Sequence, residues 1–245
     1  MALLLDTLSL LATLAVLTAT WRNVWLATAL LAVLTTLRFA VRRSPRDLGI
    51  FAFGFVFASL AEVVQVWAGL YAYAQPCPLV IPVYNFFLWG TVLLTSSQWL
   101  RALEARFGAP AGLSWSRLAT ENALYGAITA LLCLASAHQL AIAVVFATVL
   151  VARLVLVAER GNLWFLAVGM LLGPMTESWL VHSGIYRFSQ PLVGNLPLWH
   201  PIYWGLIVLY LRPMVRAADL LAVSGLVGLG RDTASASPWR GGETA

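Results

Sequence analysis

The chain has 245 residues, of which 61% are hydrophobic and only 10% charged, with a formal net charge of +5. A mean hydropathy of +0.84 excludes a water-soluble domain, because too few polar residues remain to cover so much apolar surface. All 15 basic residues are arginines spread along inter-helix loops, which excludes a nucleic-acid groove. Two cysteines, Cys77 and Cys133, make neither a disulfide framework nor a zinc site.

A hydrocarbon core about 30 Å thick takes roughly 20 helical residues to cross. Stretches of that length recur in chain order at 2–20, 23–41, 48–72, 80–100, 120–137, 139–158, 162–185 and 196–216. The first lacks a basic n-region and an A-x-A cleavage site, so it reads as a span rather than a secretion signal. Residues 101–118 form a polar linker containing Pro110 and Gly112. Residues 217–230 are apolar but too short to span and are expected to lie at the interface. From Arg231 to Ala245 the Gly, Ser and Thr content predicts disorder. The sequence therefore predicts an all-α, polytopic bundle of about eight transmembrane helices.

Arginine placement orients that bundle. Arg38, Arg42, Arg43, Arg46, Arg101, Arg106, Arg117, Arg153, Arg160, Arg212, Arg216, Arg231 and Arg240 fall on one side, and only Arg22 and Arg187 on the other. This predicts a multi-pass plasma-membrane protein of the bacterial inner-membrane type, with both termini cytoplasmic. The loops 73–80 and 186–196 then face outward.

Shifted by 115 residues, the sequence matches itself without a gap. Glu62 falls on Glu177, Gly69 on Gly184, Tyr71 on Tyr186, Tyr73 on Phe188, Gln75 on Gln190 and Pro76 on Pro191. Pro82 falls on Pro197, Trp89 on Trp204 and Gly90 on Gly205. The shared pattern is E-x6-G-x-Y-x-(Y/F)-x-Q-P-x5-P-x6-W-G. The same offset pairs Asp6 with Glu121, Arg38 with Arg153 and Gly54 with Gly169. Composition bias aligns leucines by chance, but not Glu, Gln, Trp, Gly and Pro in register. The expected organisation is a first four-helix repeat over 1–100, a cytoplasmic linker at 101–118, a second repeat over 119–216, and an interfacial segment with its tail at 217–245. Four spans per copy make the repeats parallel, related by a pseudo-twofold axis along the membrane normal. Equivalent groups then share one depth and face each other.

Glu62 lies about 21 Å along the third span, and Glu177 sits at the equivalent depth in the seventh. A carboxyl group in hydrocarbon costs enough that it reads first as functional, facing the bundle interior. Held protonated and dry, it is a Brønsted acid. The alternative is an inter-helix hydrogen bond, or a pair with Arg38 or Arg153. Gln65 lies on the same helical face as Glu62, and Pro174 is expected to kink the seventh span three residues before Glu177. Trp89 and Trp204 are too deep for an interfacial belt, and their faces suit a developing positive charge. Tyr71 and Tyr186 lie above them, where an aromatic belt is the competing reading. The copies differ: Trp67 corresponds to His182, Asn85 to His200 and Val64 to Trp179. A duplication kept for structure alone has no need to enrich one half in titratable groups, whereas a site does. The candidate catalytic residues are therefore Glu62, Glu177 and His200. The candidate substrate contacts are Gln65, Tyr71, Asn85, Trp89, Trp179, His182, Tyr186 and Trp204. No metal-ligand spacing or phosphate loop is visible, so no cofactor is implied.

The stretch from Glu62 to Trp89 resembles the motif of the membrane carotenoid hydratases and, more distantly, the small integral-membrane lycopene cyclases. The small meroterpenoid cyclases share its size, its multi-span build and a membrane Glu. Those families imply acid-catalysed addition to a polyene or its ring closure, with membrane carboxyl groups as proton donors. The paired acidic P-E-E motif of the lycopene cyclases is absent, since Val83 and Tyr84 follow Pro82. The expected function is thus acid-catalysed hydration or cyclisation of a lipidic isoprenoid, with Glu62 or Glu177 as the acid and His200, His182 or a water as the final base. The alternative is a proton-coupled small-molecule transporter with parallel repeats. A third reading is a structural or assembly subunit that binds membrane lipid or a partner span. The sequence leaves the oligomeric state open.

Overall fold

The computed structural model describes residues 2–75, 80–108, 114–135, 137–157, 159 and 161–235, those from 221 onward by backbone alone. Pro76, Cys77, Pro110, Gly112, Arg160, Arg240 and the tail from 236, all used in the sequence reading, lie outside these residues. The protein is a polytopic helical membrane bundle. Its first helices are α1 (Ala2–Thr20), α2 (Val24–Val41), α3 (Pro45–Phe53) and α4 (Ser59–Trp67). A π-helical turn over Gly54–Ala58 joins α3 to α4. The strand β1 (Tyr71–Tyr73) precedes α5 (Tyr84–Phe107), α6 (Trp115–Leu134), α7 (Gln139–Leu156) and α8 (Asn162–His182). The strand β2 (Tyr186–Phe188) leads into α9 (His200–Ser235).

Local chemistry sets several boundaries. The Asn23 side chain caps α2 by accepting from the Leu26 amide, and Ser44 caps α3 with Pro45 in its first turn. The helices α4 and α8 stop at Gly69 and Gly184, which take left-handed backbone at φ +74° and +78°. Beyond each glycine the chain extends, and β1 pairs antiparallel with β2, Tyr71 opposite Phe188, Ala72 opposite Arg187 and Tyr73 opposite Tyr186. The helices thus end short of the expected limits of the third and seventh spans, at Trp67 and His182, and β1 begins inside the third. Nor does α9 stop near 216: it runs through Pro213 to Ser235.

Packing is inverted relative to a soluble protein. Leu4, Leu8 and Leu11 on α1, Val33 and Leu37 on α2, and Val151 and Val155 on α7 are exposed, while Asp6, Arg38, Asp47, Glu121 and Arg153 are buried. That is the distribution a lipid solvent selects. Among the described residues, five stretches are long and apolar enough to cross a membrane: Ala2–Thr20, Val24–Val41, Pro45–Trp67, Gln139–Leu156 and Asn162–His182. The helices α5, α6 and α9 lie outside that group. Asn85, Thr91, Thr95, Ser97 and Gln98 are all buried on α5, and a helix enclosed by its neighbours needs no apolar skin.

Buried ion pairs tie the outer helices together. Arg38 on α2 binds Asp6 on α1 at 2.6 Å and Asp47 on α3 at 2.9 Å. Arg153 on α7 binds Glu121 on α6 and the Leu209 carbonyl of α9 at 3.0 Å. At the same end of the bundle, α5 and α9 exchange a reciprocal pair of bridges, Arg101 to Asp219 at 2.9 Å and Arg216 to Glu104 at 3.2 Å. Close approach of the inner helices rests on small residues. A Cβ on Gly54 would lie 2.7 Å from the Trp89 carbonyl oxygen, and one on Gly169 would lie 2.9 Å from that of Trp204.

Candidate functional site

The site forms where α4, α5, α8 and α9 meet beneath the ribbon. The helix before each glutamate is irregular at the same level. In the first half the π-helical turn ends at Ala58, four residues before Glu62, and in the second half Pro174 precedes Glu177 by three. Both devices free backbone groups and re-aim the turn that follows. On α5, Asn85 and Trp89 are one turn apart and share a face. Their Nδ2 and Nε1 groups donate to Glu62, and the Tyr73 hydroxyl, held by β1, donates to it as well. Tyr73 also lies 3.0 Å from the Asn85 Oδ1. Three donors from two sequence segments, α5 and β1, thus converge on one buried carboxyl group.

Trp89 stacks on Trp204, with ring centroids 6.2 Å apart and planes at 17°. Two chambers open beside this stack, and Glu62, Glu177 and both tryptophans line each of them. The first, about 130 Å³, lies among α1, α5, α8 and α9. Tyr73, Asn85, Tyr186, Leu10, Leu88 and Thr95 belong to it. The second, about 340 Å³, lies among α3, α4, α5, α6 and α9. Gln65, Tyr71, His200, Tyr125, Tyr203 and Tyr210 belong to that one.

Most wall positions of the two chambers correspond at the 115-residue offset, but their chemistry differs. Where the first chamber has Leu10, Leu88, Thr95 and Leu180, the second has Tyr125, Tyr203, Tyr210 and Gln65. These polar groups form a chain. The Gln65 amide donates to the Tyr203 hydroxyl at 3.1 Å, and the Tyr203 and Tyr125 hydroxyls are 3.4 Å apart. The Tyr210 hydroxyl donates to Asn122 at 2.9 Å. Among the described residues, no arginine lines either chamber.

The structure thus gathers Glu62, Glu177, His200, Gln65, Tyr71, Asn85, Trp89, Tyr186 and Trp204 around the two chambers. It does not bring Trp179 and His182 to them. Trp179 is 57% exposed and donates to the Thr18 hydroxyl at 2.8 Å, and the exposed His182 ring sits 3.2 Å from the Ser178 carbonyl. Arg38 and Arg153 are taken up by Asp6, Asp47 and Glu121, so neither pairs with Glu62. Tyr73, Tyr125, Tyr203, Tyr210 and Asn122 are site residues that the sequence reading did not select. Their signal was the offset itself, which sets a tyrosine against Leu10, Leu88 and Thr95. Among the described residues no three His, Cys, Asp or Glu side chains come together as a metal centre would require.

No family model and no curated protein matches the chain. Its fold is similar to that of MvINS, the Insig homologue of Mycobacterium vanbaalenii. One crystal structure of MvINS has a TM-score of 0.59 at 17% identity, and a second, of a cross-linked trimer, has 0.58 at 18%. Each covers 71% of this chain and 96% of the neighbour. This likeness corrects the expected kinship with carotenoid hydratases and terpenoid or carotenoid cyclases, since the matching fold is an Insig homologue's. It also corrects both functions, the acid-catalysed isoprenoid enzyme and its proton-coupled transporter alternative. The geometry gives a physical reason for Glu62: three donors converge on it, which makes it an acceptor that holds α4, α5 and β1 together.

Proposed function

We propose that the protein is a membrane-embedded binding protein for a lipidic molecule, which it holds in the chambers beside the Trp89–Trp204 stack. The observation that carries this reading is the second chamber. Its volume of about 340 Å³ falls in the range of small-molecule sites, and its walls are apolar with a few convergent polar groups, as such sites are built. The absence of arginine from the described walls of both chambers disfavours lipids with anionic headgroups. An isoprenoid or acyl body with one uncharged or cationic end fits better.

In this reading Glu62, Asn85, Trp89 and Tyr73 are the internal frame. Glu177, His200, Gln65, Tyr71, Tyr186 and Trp204 are the contacts offered to the ligand. The chain crosses the membrane eight times as two parallel four-helix repeats, with α1, α2, α3–α4 and α5 equivalent to α6, α7, α8 and α9. Three features support that organisation: the ribbon pairs equivalent strands about its own centre, the α5–α9 bridges are reciprocal, and most wall positions of the two chambers correspond. The arginine excess on one side supports an orientation with both termini in the cytoplasm. The neighbour's cross-linked trimer makes a homotrimer the assembly to test.

Native mass spectrometry of the protein released from its own membranes tests the reading. The expected result is a retained lipid that is lost from Ala61→Phe, a substitution that fills the second chamber, at unchanged helical content. The same lipid retained equally by both proteins would overturn it.

A further inference from the structure

The two halves differ most sharply at their glutamates. Glu62 receives hydrogen bonds from Tyr73, Asn85 and Trp89. At the stations 115 residues on, the tyrosine is Phe188, which has no hydroxyl, and the asparagine is His200. Glu177 receives no hydrogen bond from any described residue. The His200 ring is 3% exposed and lines the second chamber, packed at 5.3 Å against Phe188 and 5.8 Å against Trp199. Its Nδ1 has no hydrogen-bond partner among the described residues. One half thus carries a satisfied polar cluster, and the other carries the same stations with their valences open. An unpaired polar atom in a dry site costs about 1–3 kcal/mol, so it is retained where something else completes it.

We infer that Glu177 and His200 form the headgroup station of the second chamber and that its occupant is a protonated amine on an apolar body. The inference rests on the lipid-binding reading above and names the ligand class for the same site. Counting donors and acceptors decides between headgroups. Opposite a cation Glu177 gives up its proton and offers carboxylate oxygens, and His200 offers the Nδ1 lone pair in the tautomer that carries its proton on Nε2. Both are acceptors. A primary ammonium brings three N–H donors and a positive charge, whereas an alcohol brings one donor and a carboxylate or phosphate repels. Trp204 lines the same chamber as Glu177 and adds aromatic surface that attracts a cation, and no described arginine lines the chamber to compete with one.

Three probes with one tail test this: hexadecylamine, hexadecanol and hexadecanoate, titrated into the full chain in neutral detergent micelles. The amine is expected to bind about tenfold tighter than the alcohol, with hexadecanoate weakest. Glu177→Gln is expected to bring the amine down to the alcohol's affinity and leave the alcohol unchanged, at an unaltered unfolding temperature. His200→Phe, which keeps the ring packing, is expected to weaken the amine several-fold. Equal binding of amine and alcohol, unaffected by Glu177→Gln, would overturn the headgroup station while leaving lipid binding intact. Failure of all three probes to bind would overturn both.

Discussion

At the residue scale, the two intramembrane glutamates are alike in sequence and unlike in structure. Glu62 is enclosed by donors from β1 and α5, while Glu177 faces the chambers without one. Glu62→Leu strands the Tyr73, Asn85 and Trp89 donors together, so it is expected to destabilise the fold by about 3 kcal/mol. Glu62→Gln is expected to cost far less, because an amide can accept from Asn85 and Trp89 while the Tyr73 hydroxyl turns to the Asn85 Oδ1, already 3.0 Å away. Glu177→Leu is expected to be neutral or stabilising, since it removes an unpaired carboxyl group from a dry wall. Unfolding in detergent, followed by circular dichroism, measures all three. Equal losses for Glu62→Leu and Glu177→Leu would contradict the assignment of anchor and open station. The sequence made both glutamates legible as special and could not tell them apart. The distinction depends on two stations, Tyr73 against Phe188, which differ by a single hydroxyl, and Asn85 against His200.

At the element scale, the outer helices are tied in pairs by buried charge, α1 to α2 through Asp6–Arg38 and α6 to α7 through Glu121–Arg153. Such pairs bring little net stability, but breaking one is expensive because it leaves a charge without a partner. The two ties are not equally vulnerable. Arg38 keeps Asp47 at 2.9 Å when Asp6 is lost, whereas among the described residues Arg153 keeps only the Leu209 carbonyl when Glu121 is lost. Glu121→Gln is therefore expected to cost about 3 kcal/mol and Asp6→Asn about half as much, read from the same unfolding curves. A larger loss for Asp6→Asn would contradict the tie as described. The offset of 115 residues had already set Asp6 against Glu121 and Arg38 against Arg153, but not acid against arginine within each half. The ribbon was hidden because Tyr71–Tyr73 and Tyr186–Phe188 are three residues each, too short for an alternation to stand out from the apolar run before it. The continuation of α9 was hidden for a different reason. Arg212 and Arg216 read as the polar end of a span at 216, yet in the structure they and Asp219 beyond it are bound to Glu104, Glu159 and Arg101 across the bundle.

At the scale of the whole molecule, composition alone dictated a membrane bundle, and the exposed leucines and valines of α1, α2 and α7 agree with it. The likeness to an Insig homologue was not legible, because at 17% identity a shared backbone leaves few residues in common to recognise. A short motif of membrane-helix residue types pointed elsewhere. The two chambers follow from the proposed parallel repeats: a seam between equivalent halves creates matching spaces on both sides of its axis, and substitution on one side makes them unequal. In the proposed reading, the polar walls of the second chamber, from Gln65 through Tyr203 to Tyr125, are where the ligand is held rather than merely admitted. The most direct measurement is photolabelling of the protein in lipid nanodiscs with a lipid that carries a diazirine on its tail, followed by peptide mapping with and without excess unlabelled lipid. The expected result is labelling of α4, α6 and α9 around Ala61, Tyr125 and Ile207 that saturates and is competed away, with uncompeted labelling along the outer faces of α2 and α7. Labelling confined to those outer faces, or labelling of the chamber that no competitor displaces, would contradict the assignment of the chamber as a lipid-binding site.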